Sequence, residues 1–321
     1  MTQEEFTTQF TQELSNLLEG IAEIIVNKDV LKINECKTGI SIRYPESEIS
    51  PTLYPEDIYS NLAPGETPAM AAEMAVKMLE AAKVDAPTME DIDLTPEGAK
   101  KNLYLVVINA EKNKELLKDV PHFIQDDLAV IPRYRISDEA SFVIHNNHLE
   151  TFQMTETECL EQALKNTDER GYTVDSIEEV LRRIMRNEGM DDDYMDDVLA
   201  ETPKSPFYVI TNDSKVDGAV AIASKAALEQ AYEVVGENFY ILPSSRHEIL
   251  ALPESLVKDP EELRQMVCDV NENQVEPKDR LSDNVYYYDA QKKHVSLVEP
   301  KAVEKPMEIA EAVTKNPAKV K

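Results

Sequence analysis

Short strand patterns that occur in pairs, each followed by a capped helix, are the feature of this sequence that most constrains its fold. The segments FYVITN (207–212) and GAVAIA (218–223) are typical of two strands, and a helix begins after Ser224. NFYIL and HEILAL form the next pair, before a helix that starts at Asp259-Pro260. VYYY and HVSLV close the pattern. This order predicts an α+β fold with mostly antiparallel sheets, repeated strand-strand-helix units and helices packed on one face.

The first half contains the same kinds of element in a less regular order. Thr2, Thr155 and Ser176 each precede a glutamate by three positions, which is the capping-box spacing that starts a helix. Helices are also predicted at about 68–83 and 110–118. Strands are predicted near 21–26, 30–35 and 39–44, in the buried run LYLVVINA, and within 126–136 and 140–152. Met70, Met74 and Met78 recur at helical spacing, which favours packing in the core over an adaptable groove for a partner.

An acidic segment separates the two halves. Residues 188–201 contain seven acidic residues and no basic one. We therefore expect an N-terminal α+β lobe over 1–187, an acidic linker at 188–205 and a C-terminal α+β lobe over 206–299. An insertion within one larger unit explains the acidic segment equally well. The tail at 300–321 mixes Lys, Glu, Ala and Pro and is predicted to be disordered.

Charge and glycine content exclude several classes of protein. Against 33 Lys plus Arg stand 62 Asp plus Glu, a formal charge of −29 that repels nucleic-acid backbones and anionic membranes. We expect no direct binding to nucleic acid, for which Arg133-Tyr134-Arg135 is only a weak pattern, and no membrane association. The 8 glycines lie at least 18 positions apart, so glycine-rich phosphate loops and the GxSxG nucleophile elbow are absent. No cofactor is expected.

The cysteine and apolar patterns indicate a cellular location. Cys36, Cys159 and Cys268 are more than 100 positions apart, so no CxxC metal or redox motif exists and reduced thiols are expected. The longest apolar run, LYLVVI, is far shorter than the roughly 20 residues that span a bilayer. The first ten residues, MTQEEFTTQF, do not resemble a signal peptide. The sequence predicts a soluble cytoplasmic protein.

Two local clusters contain residue types that carry chemistry. His145 and His148 are weak candidates for a metal site, since they converge on a metal only if they lie on a turn; Asn146-Asn147 between them favours a polar turn between strands, and no metal is expected. Ser245, His247 and Glu248 are the residue types of nucleophile, base and acid. Catalytic residues usually converge from distant segments, so a turn made by LPSSRHE is favoured over a hydrolase site.

The acidic segment offers a third candidate site. Its run DDDYMDD lacks the glycine and the alternating acids of a calcium-binding EF-hand loop. A solvated linker or a loop that docks on a basic partner is favoured instead. The partner-binding residues would be Asp191, Asp192, Asp193, Asp196 and Asp197.

Four long segments carry a resemblance to a known family. They are 109–131, 207–222, 239–253 and 266–289, and they occur here in one order. Together they resemble an uncharacterised domain-of-unknown-function family of gut Firmicutes and their mobile elements, and more distantly the YtpQ-like family. The resemblance implies a bacterial cytoplasmic protein and transfers no catalytic or binding residue.

The residues together favour a non-enzymatic interaction or regulatory protein that binds a basic protein partner. Strong acidity and the lack of recognisable catalytic loops support this prediction. Two alternatives remain open. One is an enzyme of unrecognised type, for example a hydrolase that uses the LPSSRHE segment, and the other is a module that binds a small molecule or a metal.

Overall fold

The computed structural model describes residues 1–45, 50–82, 92–137 and 140–299 of the chain. Its α-helices are α1 Gln3–Leu17, α2 Pro55–Ser60, α3 Pro68–Ala82, α4 Pro96–Asn102, α5 Lys114–Leu117, α6 Asn146–Phe152, α7 Glu156–Glu169, α8 Ile177–Asn187, α9 Asp192–Glu201, α10 Lys225–Val235 and α11 Pro260–Asn273. Its strands are β1 Glu23–Lys32, β2 Glu35–Arg43, β3 Thr52–Leu53, β4 Leu103–Asn109, β5 Phe123–Gln125, β6 Leu128–Arg135, β7 Ser141–Val143, β8 Thr173–Ser176, β9 Tyr208–Thr211, β10 Phe239–Leu242, β11 Ile249–Pro253, β12 Tyr286–Asp289 and β13 His294–Leu297.

The N-terminal elements form a small sheet covered by helices. Strands β1, β2 and β3 pair antiparallel in that order. Alternate residues Ile40 and Ile42 of β2 are fully buried, as their period of two predicts, and pack in one cluster with α1 and α3. The strand predicted at 21–26 and the first part of the one predicted at 30–35 lie in one strand, β1, which ends at Lys32, and residues 33–34 form the turn to β2. The polar residues between them form a bulge at Asn27–Val30, where Asp29 has a φ of 58°.

Two further antiparallel sheets share the largest buried cluster. One has the order β13-β12-β10-β11-β9-β8, and in the other β6 pairs with β4, β5 and β7. Strand β4 is buried on both faces, because Leu105 and its alternate neighbours pack in the largest cluster while Val106 and its neighbours pack in another. This arrangement explains the unbroken apolar run of β4. The α+β class with antiparallel sheets is confirmed.

One predicted strand is a different element. The segment Gly218–Ala223 forms a short 3-10 helix, and its residues from Gly218 to Ile222 are buried against β4 and β9. A Cβ atom on Gly218 would lie 2.2 Å from Thr211 Oγ1 and 2.6 Å from the His247 carbonyl oxygen. The strand prediction was wrong because small apolar residues fit a tight turn in a confined space as well as they fit a strand.

The methionines of α3 lie on its outer side. Met70, Met74 and Met78 are 53%, 55% and 66% exposed, whereas Ala72 and Leu79 are buried against α1. The prediction that these methionines pack in the core was therefore wrong. Helical spacing places residues on one face, but it does not say which face meets the protein.

The acidic segment contains a helix. Asp191 caps α9 by accepting a hydrogen bond from the Tyr194 N–H (2.8 Å), and Met195 and Leu199 are buried. A linker or loop was predicted from the density of acids, and residues 192–201 within it are helical. The division into lobes at 188–205 stays a prediction, and residues on both sides of it, including Leu105 and Ile210, contribute to the largest cluster. The predicted disordered tail lies outside the described residues.

Candidate functional site

A cavity of about 640 Å³ lies where four parts of the chain meet. Its walls come from the β1–β2 hairpin, from α2, from the β6–β7 strands with the start of α6, and from residues near 246 and 278. Both histidine-containing clusters that the sequence analysis singled out reach or border this region. The tertiary structure thus gathers segments that are up to 246 positions apart in sequence.

Three asparagines hold the walls of the cavity together. Asn34, in the turn between β1 and β2, has a left-handed φ of 64°. Its N–H donates to Asn113 Oδ1 (2.7 Å), and Asn113 Nδ2 donates back to Asn34 Oδ1 (2.8 Å). Asn34 Nδ2 also donates to the carbonyl oxygens of Lys278 (3.0 Å) and Arg280 (2.8 Å), while Asn109 Nδ2 donates to that of Leu281 (2.8 Å). These bonds attach the hairpin to the 278–281 segment.

The lining of the cavity reverses the charge balance of the chain. Five lining side chains are basic and three are acidic, whereas the whole sequence has almost twice as many acidic as basic residues. The basic ones are Lys32, Lys37, Arg133, Arg246 and Lys278, and the acidic ones are Glu35, Asp57 and Asp279. A concentration of cations in a concave site of an acidic protein indicates affinity for anions.

Three of the cations are already paired with carboxylates. Lys37 Nζ lies 2.5 Å from Glu35 and 2.6 Å from Asp57. Burial by itself would lower the pKa of Lys37, but the hydrogen bonds to these two carboxylates outweigh it and raise the pKa above its usual value. Arg246 donates to the buried Asp217 through Nε (2.8 Å), and Lys278 pairs with Glu276 (2.7 Å). These pairs set the shape of the site and leave little free charge.

Arg133 and Lys32 are the two lining cations without a carboxylate partner among the described residues. The terminal NH2 of Arg133 donates to the hydroxyl of Ser141 (2.8 Å) and to its carbonyl oxygen (3.2 Å). Its Nε is buried and has no hydrogen-bond acceptor in the described part of the chain. Lys32 Nζ lies 4.4 Å from the ring centroid of Tyr54 and donates to the Tyr54 hydroxyl (3.2 Å). No described carboxylate therefore neutralises these two positive charges.

The two histidines lie at the junction of β7 and α6. His145 precedes α6, and its N–H donates to His148 Nδ1 (3.0 Å), while its own Nδ1 lies 3.1 Å from Asp119. Burial, assisted by the neighbouring His145, lowers the pKa of His148, although Asp119 opposes the shift. The predicted turn between two strands is a strand-to-helix turn, because Asn146-Asn147 begin the helix rather than end a strand. Within the described ranges, no group of three or more His, Cys, Asp or Glu side chains is arranged to hold a metal ion.

Ser245 and His247 are joined by a hydrogen bond that uses the His247 backbone and not its ring. The His247 N–H donates to Ser245 Oγ (3.0 Å), and among the described residues no hydrogen bond joins that hydroxyl to the imidazole ring. His247 Nδ1 accepts the Asp217 N–H (3.3 Å), and Nε2 lies 3.3 Å from Asp279 Oδ1. Glu248, the third residue of this candidate catalytic set, lies next to them at the start of β11 and is half-buried. The serine hydroxyl and the imidazole ring thus have different hydrogen-bond partners, and the ring does not activate the hydroxyl in this arrangement.

Two of the five predicted partner-binding acids already have partners in the neighbouring helix. Asp196 pairs with Arg182 (2.6 Å) and Asp192 with Arg186 (3.3 Å), both on α8. Asp191 serves as the cap of α9. Asp193 and Asp197 have no ion-pair partner among the described residues and are exposed. The free negative charge of this segment is therefore smaller than its sequence indicates.

Sequence reasoning missed the residues that shape the cavity. Arg133 was considered only as part of a basic triplet, but the Tyr134 between the two arginines is buried and stacks on Phe142 at 5.2 Å. Lys32 and Asn34 fell within the strand predicted near 30–35, and nothing in the sequence singled out either residue. Side chains alternate between the two faces of a strand, so Arg133 should face away from its neighbours Pro132 and Tyr134 on β6. This alternation is the one sequence signal that could have drawn attention to Arg133.

The fold and the cavity define a mixed α+β protein with antiparallel sheets and a cation-lined pocket. The chain belongs to a family of unknown function, DUF5688, whose model matches residues 3–290. No curated protein and no solved structure matches the chain. No helix within the described ranges has the length and apolar character needed to cross a membrane.

Proposed function

We propose that this protein binds a small molecule bearing a carboxylate or phosphate group in the cation-lined cavity. The observation that carries the proposal is the pair of lining cations, Arg133 and Lys32, that have no carboxylate partner among the described residues. Charge-assisted hydrogen bonds to Arg are stronger than neutral ones.

The rest of the lining supports recognition of an anion. His148 Nδ1 accepts a backbone N–H, so the neutral ring carries its proton on Nε2 and offers a further donor. Burial lowers the pKa of His148, which favours the neutral ring. At an ionic strength near 0.15 M the Debye length is about 8 Å, so nearby cations outweigh the distant negative charges of the chain.

A titration with defined anions tests this function. Inorganic phosphate and citrate would be added to the full chain, and binding measured by calorimetry together with the thermal unfolding midpoint. We expect saturable binding that raises the unfolding midpoint, with a stabilisation of about 2.7 kcal/mol when the anion is at 100 times its dissociation constant. Arg133→Gln should weaken this binding at least about tenfold, because it removes the charge that contacts the anion.

Arg43→Gln is the matched control. Arg43 is exposed, pairs with Glu23 and is the last residue of β2 in the hairpin, but it is not a lining residue of this cavity. Its substitution should leave anion binding unchanged. Failure of both anions to bind saturably, or equal weakening by Arg43→Gln and Arg133→Gln, would contradict the proposal.

The other functional predictions are kept as proposals with less support. Docking of a basic protein partner on Asp193 and Asp197 relies on their exposed charge. A hydrolase that uses Ser245 would need a ligand-induced change that brings its hydroxyl to the His247 ring. The cytoplasmic location and the narrower likeness to gut Firmicutes and YtpQ-like proteins also stay predictions.

A further inference from the structure

The cation-lined cavity also has an apolar wall. We give this name to five of its lining residues, which are Leu31, Ile33, Leu116, Phe142 and Val143. Ile33 and Leu116 are buried, and the half-buried Val143 packs with them in the hydrophobic cluster built on β4, β6 and α5. The apolar wall is therefore the side of this cluster that reaches the cavity, and a molecule bound there would contact it.

The register of the sheet places a cation beside the apolar wall. Arg133 on β6 lies directly opposite Val143 on β7, so the two side chains leave the same face of the sheet. The Cβ atoms of such a pair are about 4.5–5.5 Å apart. The part of a ligand that follows an oxyanion bound to Arg133 would thus lie within reach of an apolar side chain.

Leu31 and Phe142 provide accessible surface on the apolar wall. Leu31 is 44% exposed, although it is a large apolar residue in a strand. Phe142 is half-buried, with Tyr134 stacked on it at 5.2 Å and His148 perpendicular to it at 5.4 Å. A ligand with a hydrocarbon part would remove water from both side chains, whereas a hydrated inorganic ion would not.

The size of the cavity agrees with an organic ligand. Its volume of about 640 Å³ lies in the range of about 300–1,000 Å³ that is typical of pockets for organic molecules. Such pockets combine an apolar lining with a few polar or charged groups that orient the ligand. The apolar wall and the cations Arg133 and Lys32 are this combination.

We infer that the ligand of the cavity is an organic acid with an apolar body. Its oxyanion would meet Arg133 and Lys32, and its hydrocarbon part would pack on the apolar wall. This inference rests on the proposed function, because it needs the cavity to bind an anion. It goes further in one respect: charge alone predicts that affinity rises with the charge of the anion, whereas the apolar wall predicts that it rises with hydrocarbon length.

Three carboxylates separate charge from apolar contact. Acetate has a single charge and almost no hydrocarbon part, octanoate has a single charge on a long chain, and suberate has the same chain length with a carboxylate at each end. Binding of each to the full chain is measured by calorimetry. A fully buried methylene group is worth about fourfold in affinity, so octanoate should bind at least about thirtyfold more tightly than acetate. Suberate should bind more weakly than octanoate, because its second carboxylate would lose water against the apolar wall.

A substitution on the apolar wall locates the contact. Leu31→Thr keeps a residue that favours strands and removes apolar surface, so it should weaken octanoate binding about threefold or more and leave phosphate binding unchanged. Val26→Thr is the matched control, because Val26 lies on the same strand and is also 44% exposed, but it is not a lining residue of this cavity. It should leave the binding of both anions unchanged. Circular dichroism checks that both variants keep the fold.

The outcomes distinguish this inference from the proposed function. If phosphate and suberate bind and depend on Arg133, but octanoate binds no more tightly than acetate, the cavity selects by charge alone and the inference is overturned. Octanoate binding that Leu31→Thr leaves unchanged, or that both variants weaken equally, would also overturn it. Absence of saturable binding for every anion tested contradicts the proposed function, and this inference with it.

Discussion

At the scale of single residues, Asp127 accepts hydrogen bonds from three side chains of the last part of the chain. Ser282 Oγ (2.7 Å) and Asn284 Nδ2 (3.0 Å) donate to it, and so does the hydroxyl of Tyr286. Asp127 lies in the β5–β6 turn and Tyr286 in β12, so these bonds connect two sheets. They replace the water that a carboxylate would otherwise bind.

Removal of the Tyr286 hydroxyl should therefore destabilise the protein. Tyr286→Phe is expected to lower the free energy of unfolding by about 1.5–3 kcal/mol, the usual contribution of a hydrogen bond to a charged group. Tyr288→Phe is the control, because Tyr288 is equally buried on β12 and its hydroxyl has no hydrogen-bond partner among the described residues. That change should stay within about 0.5 kcal/mol. If urea denaturation shows that Tyr286→Phe and Tyr288→Phe lose the same free energy of unfolding, the hydrogen bond from Tyr286 to Asp127 does not stabilise the fold.

At the scale of elements, the β1–β2 hairpin is attached to the rest of the molecule through the turn residue Asn34. The turn needs a left-handed residue, which Asn adopts more readily than most. The side chain of Asn34 then makes hydrogen bonds that no other residue type of that shape can reproduce. The hairpin contributes Lys32 and Lys37 to the cavity, so its attachment decides where those charges lie.

Asn34→Gly tests this attachment. Glycine tolerates the positive φ, so the substitution removes only the side-chain hydrogen bonds. We expect a loss of about 1–3 kcal/mol in unfolding free energy, faster hydrogen exchange in β1 and β2, and weaker anion binding. Asp126→Gly is matched to it, since Asp126 also has a positive φ (56°) in a hairpin turn and is exposed. If both variants behave alike, the junction does not position the hairpin.

At the scale of the whole molecule, buried tyrosines should make the fold sensitive to alkaline pH. Burial is the largest cause that raises the pKa of Tyr134, Tyr172 and Tyr286, and nearby carboxylates add to it. The unfolded chain releases these protons near the usual value of about 10, while the folded chain keeps them. Their stabilising contribution is therefore fully present below about pH 10 and is lost as the pH rises above it.

Urea denaturation at pH values from about 8 to about 11 would measure this effect, because this range brackets the usual tyrosine pKa of about 10. The unfolding free energy should be constant at the lower end and fall steeply at the upper end. Tyr286→Phe should fall less steeply than the wild type, because one of the linked protons is gone. Identical slopes in the two proteins would contradict the role of burial at this residue.

Local sequence signals determined many of the elements. The helices after Thr2, Thr155 and Ser176 begin where their capping boxes predict, because a capping box joins residues only three positions apart. Strands β10 and β11 pair antiparallel as predicted, since a short connection between two apolar runs favours that arrangement. The α+β class follows from the order of such elements.

Other features were decided only by the tertiary structure, because they depend on contacts between residues that are distant in the sequence. The exposure of Met70, Met74 and Met78 depends on which side of α3 meets α1, and the 3-10 helix at Gly218–Ala223 depends on the narrow space beside Thr211. The cavity is the clearest case. Lys32, Arg133 and Lys278 are far apart in the chain, and only the packing of the hairpin on the 278–281 segment brings them to one place. Local propensity determines elements, while burial and long-range hydrogen bonds determine which of their faces meet.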